Sequence, residues 1–297
     1  MKTRRHFLRD SSIVAGGALV FPNLVRAQVS SVPPSDQIRV GLIGCNGMGY
    51  SNLISILKVP EVECGALCDV DSSVLHRRAD DVEEQTNLRP TLYSDFRRLL
   101  EDPDIDAVII ATPDHWHCLM MVAACEAGKD VYVEKPLANS IGECGLMVAA
   151  AERFGTVVQV GQWQRSGGHW TEAAEHVQSG AIGRIRLVKA WAYQGWMGAI
   201  PVLPDESVPE GVDYDMWLGP TWPRAWKENR FHYKWHWYWD FGNGDIGNQG
   251  VHQMDVARWG LGLDDLPDNA YSEGGKFVYD DDQQTPNTQI AVFRYPE

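Results

Sequence analysis

Residues 44–49, Gly-Cys-Asn-Gly-Met-Gly, close an apolar run (Ile38, Val40, Leu42, Ile43) with a density of glycine that lets backbone approach a ligand closely. A strand that enters such a turn and leaves it as a helix offers free N–H groups to an anion, and a pyrophosphate fits that description. In the register of the dinucleotide fingerprint G-x-G-x-x-G, Gly44 and Gly49 hold the first and third positions. Asn46 stands at the second, with Gly47 and Met48 following it. Asn tolerates a left-handed backbone, so the turn is expected to survive the replacement. About twenty residues further on, where a Rossmann unit carries its ribose-binding acid, the apolar run Cys64 to Leu67 ends at Asp69. A carboxylate there favours NAD, while Arg77 and Arg78 downstream keep NADP open. The plainer alternative is that Asp69 and Asp71 cap or solvate a loop.

The run Ala107 to Ala111 is apolar throughout, as for a parallel strand covered on both faces, and opens into Thr112-Pro113-Asp114-His115-Trp116-His117. Ligands gather at such carboxyl ends. His115 and His117 flank a Trp without a Cys or carboxylate at a zinc spacing, so no metal is expected. A helical stretch from His117 to Ala127 stops at Gly128, and the strand Asp130 to Val133 runs into Glu134-Lys135-Pro136. By itself a Lys-Pro pair reads as a surface turn. Pro136 fixes the local backbone and biases Lys135 toward an extended conformation.

Strand, glycine turn, acid-ended strand, A-T-P-D-H-W-H and E-K-P, in this order, make the chain similar to the Gfo/Idh/MocA family, the relatives of glucose-fructose oxidoreductase and inositol dehydrogenase. Gly161 to Arg165, Ile182 to Ile185, Trp217 to Pro220 and Trp239 to Asp255 extend the resemblance, which covers roughly residues 36 to 297. It implies an α/β architecture: a Rossmann NAD(P)-binding domain over 36–162, then an α+β domain over 163–297 with an open, largely antiparallel sheet. It further implies that Gly44, Asn46, Gly47, Met48, Gly49, Asp69, Thr112, Pro113, His115, His117, Glu134, Lys135 and Gln162 line the cofactor. Lys135 would lie beside the nicotinamide ribose and the reacting hydroxyl. In many relatives the second catalytic pair is an Asp and a His with three residues between them, and these positions hold Asn248 and His252. A neutral amide cannot accept a proton and can only orient a hydroxyl. His252 alone could then serve as base, or Asp245 could substitute, or the net reaction is not a simple alcohol oxidation. Asp255, three residues after His252, would share its helical face and orient the imidazole.

In the second domain the pattern gives a helix from Trp170 to Gln178, a strand from Arg184 to Tyr193, a helix from Val251 to Leu261 and a strand from Thr288 to Tyr295. Relatives usually continue with more sheet, so the chain reads as incomplete at its C-terminus, and a homo-oligomer is expected where that domain is complete. Eleven of the twelve tryptophans lie between Trp163 and Trp259. They suit either a loop-rich core or interface, or stacking on sugar faces. His232, Lys234 and His236 among them are candidate contacts to sugar hydroxyls.

Residues 1–27 carry Lys2, Arg4 and Arg5, an apolar segment broken by Gly16, Gly17 and Pro22, and the ending Val-Arg-Ala. This resembles a twin-arginine export signal, too short and interrupted to span a bilayer, and predicts a periplasmic or secreted protein. Removing it takes away a net charge of plus four, so the formal −14 becomes −18. Such an acidic chain repels phosphate backbones and argues against nucleic acid as a partner. The six cysteines, at 45, 64, 68, 118, 125 and 144, read as buried thiols, although Cys64 and Cys68 could pair if their strand end bends. The expected activity is hydride transfer between a carbinol carbon of a small sugar, polyol or glycoside and a nicotinamide. Two alternatives stand beside it: glycoside cleavage by transient oxidation and elimination, and a nucleotide-retaining sugar binder without turnover.

Overall fold

The computed structural model describes residues 36–195 and 198–296, so the leader expected at 1–27 lies outside the described residues. Six parallel strands form the first layer: β1 (Ile38–Ile43), β2 (Val62–Cys68), β3 (Thr91–Tyr93), β4 (Ala107–Ile110), β5 (Asp130–Val133) and β6 (Val158–Val160), in the order β3-β2-β1-β4-β5-β6. This is the doubly wound order, in which the connections reverse direction between β1 and β4 and leave a crevice at the strands' carboxyl ends. The glycine turn after β1 and the Thr112 turn after β4 both open into that crevice.

Each face of the sheet has its own core. Helices α1 (Gly47–Ile56) and α2 (Ser72–Thr86) bury Leu53, Val74, Leu75, Ala79 and Val82 against Val40, Leu42 and Leu67. On the other face α3 (Phe96–Leu100), α4 (Asp114–Glu126) and α5 (Ile141–Phe154) bury Leu99, Met120, Met121, Ala124 and Met147 against Ile43, Val108 and Ile110. Ser140 and Glu143 cap α5 reciprocally, and Gly155 ends it in the left-handed region at φ +68°. Strand β3 escapes a sequence reading because three residues carry no periodicity. Helix α4 starts at Asp114, three residues before its expected start, since Pro113 at φ −58° fits the position ahead of a first helical turn.

The second domain contains α6 (Gly168–Gln178), the short α7 (Tyr214–Leu218) and α8 (Gly244–Asn248), α9 (Gly250–Leu261), and an antiparallel pair, β7 (Asn269–Gly275) and β8 (Thr288–Arg294). Its core is aromatic: Trp217, Trp226, Trp235, Trp237, Tyr238 and Phe241 pack around Ile200. Filling this loop-rich core thus accounts for four of the tryptophans, whereas Trp163, Trp222 and Trp239 stay exposed. The strand expected over Arg184 to Tyr193 does not form. Leu187, Val188, Trp191 and Tyr193 are exposed there and no neighbouring strand pairs with the segment, so its alternating pattern has no ladder to join. All six cysteines are free thiols, so Cys64 and Cys68 do not bridge. Among the described residues no helix is long and apolar enough to cross a membrane.

Gly49 sits where α1 crosses β1, and a Cβ there would lie 2.0 Å from Gly44 O and 3.0 Å from Ala111 Cβ. Gly49→Val should therefore cost about 1–3 kcal/mol by overpacking and weaken dinucleotide binding at least tenfold. Urea unfolding and a nucleotide titration check the two effects, and a variant with unchanged affinity would show the helix can retreat without reshaping the turn.

Candidate active site

The glycine turn is built as an anion cradle, though not by the residue expected. Asn46 is extended, at φ −92° and ψ 169°, and Gly44 and Gly47 take the left-handed positions at φ +86° and +45°. Tolerance of left-handed backbone by Asn therefore plays no part. A Cβ on Gly44 would meet Ala111 O at 2.7 Å, whereas one on Gly47 would meet nothing within 4 Å, so open space lies over the start of α1. Met48 beside it is exposed. Asp69 faces this turn: its Oδ2 accepts from Cys45 N at 2.8 Å and its Oδ1 from Asp71 N at 3.0 Å. Burial pushes its carboxyl upward and the two N–H donors oppose that push. Residues 44–49 and Asp69 thus fit a dinucleotide's pyrophosphate and adenosine ribose.

At the other end of the crevice Lys135 reaches across to the second domain. Its Nζ donates to Asn248 Oδ1 at 2.8 Å and to Asn248 O at 3.0 Å. An ammonium has three N–H donors, so one remains for a substrate oxygen. Burial lowers the Lys135 pKa, while Glu134 and Asp114 act against that shift. Glu134 is committed to the protein: Oε1 accepts from Asn52 of α1 at 2.7 Å and Oε2 from Lys135 N at 3.1 Å. It ties the glycine helix to the Lys135 turn. Gln162 ends the same edge, with its Oε1 buried and unpartnered.

His252, on α9, is buried against the edge of Trp163 at 5.7 Å between ring centroids. Burial and the nearby Lys135 lower its pKa, which keeps the imidazole neutral and able to accept a proton. Asp255 does not orient it. That carboxylate is held in a two-point pair by Arg165, Nε to Oδ2 and a terminal nitrogen to Oδ1 at 2.8 Å each, and His252 Nδ1 has no partner. The planar guanidinium outcompetes a neutral ring for a carboxylate. Asp245 is likewise engaged, accepting from Trp237 Nε1 at 3.0 Å.

The two histidines after Thr112 serve the scaffold. His117 sets Nδ1 against Pro136 O at 2.9 Å and Nε2 against Thr112 O at 2.8 Å, joining the Thr112-Pro113 turn to the Lys135-Pro136 turn. His115 Nε2 meets Trp217 O at 3.0 Å and its backbone N–H donates to Phe241 O, so it docks the second domain. Burial pushes its pKa down to about 4. Three of the four ring nitrogens thus lie against backbone carbonyls, and His115 Nδ1 has no protein partner. Among the described residues no cluster of His, Cys, Asp and Glu could hold a metal.

The sequence reading gave one further group too small a part and missed another. His236 was read only as one of several sugar contacts, yet it shares the electrostatics of this pocket: burial pushes its pKa down to about 3, and the Lys135 charge adds to the shift. Its Nδ1 lies 2.5 Å from Tyr233 O, which fixes the tautomer with Nδ1 protonated. Asp114 was not singled out at all. It is fully buried at the start of α4, takes Asn243 Nδ2 on Oδ2 at 3.1 Å and leaves Oδ1 unpartnered. Burial lifts its carboxyl to about 8, with Asn243 and Lys135 pulling the other way. Asn243 precedes α8, the helix that ends in Asn248, so Asp114 anchors the element facing Lys135. Its signal was its place as the first residue of a helix beginning at the crevice.

A parallel sheet in doubly wound order, a glycine cradle answered by an acid, and a buried lysine at the domain junction define the class of NAD-binding oxidoreductase folds. Residues 38–162 match the oxidoreductase family with NAD-binding Rossmann fold of the Gfo/Idh/MocA group, and residues 182–288 match its C-terminal alpha/beta domain. The chain belongs to the Gfo/Idh/MocA family, and its first domain is that family's NAD-binding Rossmann fold. Among curated relatives, glycosyl hydrolase family 109 protein 1 of Shewanella sp. (strain ANA-3) is 34% identical over 169 residues, which is 50% of this chain and 37% of the relative. The alpha-N-acetylgalactosaminidase of Shewanella oneidensis is 33% identical over the same share of both chains. The chain thus spans little more than a third of the length of the curated relatives it matches. The fold is also that of the WlbA dehydrogenase from Bordetella pertussis in complex with NADH and UDP-GlcNAcA, with TM-score 0.63, 20% identity, and coverage of 87% of this chain and 66% of that one. Levoglucosan dehydrogenase in complex with NADH superposes with TM-score 0.65 and 21% identity over 87% of this chain and 64% of its own.

Asp114 gives the site a pH signature. A carboxyl whose folded pKa is raised from 3.8 to about 8 contributes stability that is full below pH 4 and lost as pH rises through 8. The difference in urea midpoint between the native chain and Asp114→Asn should therefore change steadily between pH 4 and pH 8. A pH-independent difference would mean that Asp114 is ionised throughout.

Proposed function

We propose that the protein is an NAD-dependent enzyme that oxidises a carbinol carbon of a sugar, polyol or glycoside. The observation that carries this reading is the Lys135 ammonium seated on Asn248 with one donor left over, beside an imidazole held neutral. NAD, when bound, supplies the hydride acceptor at the end of the crevice. The remaining work falls to this chain. The free N–H of Lys135 holds the substrate hydroxyl and stabilises negative charge as the oxygen loses its proton. His252 accepts that proton, since Asn248 cannot. Exposed Trp163, packed on His252, offers a flat apolar face to a sugar ring.

A second reading follows from the relatives named as family 109 glycosyl hydrolases and an alpha-N-acetylgalactosaminidase. In it the same oxidation is transient. The carbonyl acidifies a neighbouring C–H, elimination expels the aglycone, water adds, and the hydride returns to the sugar, so no reduced nicotinamide accumulates. The leader at residues 1–27 supports export by the twin-arginine route to the periplasm or beyond, and a non-catalytic sugar binder is the fallback.

Protein purified without added nucleotide should carry NAD, identified by mass, and a panel of sugars and glycosides should then be tested. Accumulation of reduced nicotinamide supports net oxidation, whereas sugar release without it supports cleavage. Lys135→Met should lower either activity by about 10²–10⁴-fold while leaving NAD bound, and undiminished turnover would remove Lys135 from the chemistry.

A further inference from the structure

The single 3-10 turn Lys234–Trp237 brings a second imidazole to the Lys135 site, and the bonds of its neighbours fix where that ring lies. On one side Trp237 Nε1 donates to Asp245 Oδ1 at 3.0 Å, on α8, the helix that ends at Asn248. On the other, Asn139, in the turn that follows Lys135, donates to Trp239 O at 3.4 Å. His236 thus stands between the two chain segments that meet at the ammonium. Its backbone is pressed on Gly242, where a Cβ would fall 2.7 Å from His236 Cα, so only glycine permits this approach. The ring itself has little freedom. It stacks on Trp235 with centroids 3.5 Å apart and planes at 18°, and Tyr233 and Trp237 tilt against it at 5.0 and 5.5 Å.

With Nδ1 donating to Tyr233 O, Nε2 of the neutral ring is an acceptor only. That nitrogen bonds neither Lys135 nor any other described residue, and it is not sealed in the interior. The charges around it decide whether it takes a proton or only a hydrogen bond. Burial and the Lys135 ammonium, with His117 in the same sense, oppose a positive charge on the ring and hold its pKa at about 3. A group so weakly basic stays neutral while the substrate reacts, which leaves the proton to His252. We propose that His236 is a specificity-determining residue whose Nε2 accepts a hydrogen bond from a second substrate hydroxyl, adjacent to the one held by Lys135. The substrate class is then a sugar or polyol with two vicinal hydroxyls, not an isolated alcohol. This rests on the reading of the Lys135 pocket as an oxidation site. Lys135 can only donate and His236 Nε2 only accept, so the two groups read neighbouring hydroxyls in opposite senses. An analogue without the second hydroxyl leaves Nε2 desolvated and unpartnered, and discrimination arises there.

The test uses NAD-loaded protein and para-nitrophenyl glycosides of glucose, galactose, mannose and xylose with their monodeoxy forms, and reads turnover as reduced nicotinamide or released nitrophenol. For a sugar that is turned over, removing one hydroxyl beside the reacting carbon should cost the native protein about a hundredfold or more in kcat/KM. His236→Phe keeps the stack on Trp235 and removes the acceptor. It should bring the parent sugar down to the level of that deoxy form and leave the deoxy form little changed. His236→Gln returns an acceptor oxygen and should recover part of the difference, while NAD retained by both variants reports an intact crevice. Equal losses on parent and deoxy sugars in His236→Phe would make the ring structural or the base itself, and overturn the proposal while leaving the oxidation reading standing. Indifference of the native protein to every deoxy form does the same. Absence of turnover with every glycoside overturns the oxidation reading and the proposal together.

Discussion

Taking an ammonium out of water costs several kcal/mol unless oxygens replace the lost hydration, and Lys135 meets that constraint with both oxygens of one residue, Asn248. Much of the molecule is arranged to bring these two groups together. The β5 strand delivers Lys135, Glu134 ties its turn to α1, and His117 ties the following Pro136 to Thr112. From the other side Asp114 and Asn243 secure α8, which ends at Asn248. The lysine is thereby fixed in position without a carboxylate beside its nitrogen. An acid at position 248 would hold the ammonium more strongly as a charge and raise its pKa. The amide orients it while leaving the burial-induced lowering in place.

The neutral partner also sets the character of its surroundings. With Lys135 as the local cation, neighbouring imidazoles are discouraged from charging, and burial acts in the same direction on His236 and His252. The pocket thus pairs one donor-only group with rings available as acceptors. That combination suits a substrate hydroxyl that must be held by its oxygen and relieved of its proton.

The Rossmann half was legible because its strands are buried on both faces and end in residues with few alternative uses. Gly44, Gly49 and Asp69 could be named from their spacing, Lys135 only through the E-K-P motif of the family, and all four lie at the carboxyl ends of the strands. What failed were statements about orientation. Asp255 shares a helix with His252, but helical spacing could not reveal that Arg165, ninety residues away, would claim it. His115 and His117 sit in the right motif, yet their rings face backbone carbonyls that only the tertiary fold supplies. Asp71 could be read as a helix cap, which it is, but its second bond goes to His232. The Arg184 to Tyr193 segment failed for a related reason: alternation shows that a segment could pair, never that a partner is there.

The bond between Lys135 and Asn248 joins residues 113 positions apart. Closing a loop of that length carries an entropic cost that other contacts between the two domains must help repay. Without the second domain over it the lysine would be hydrated and ordinary in its proton affinity, since burial is what lowers it. Only when α8 arrives does the ammonium exchange water for amide and carbonyl. Chemical competence is therefore acquired at docking of the second domain, and the lysine's titration becomes a readout of whether the two halves of the chain have come together.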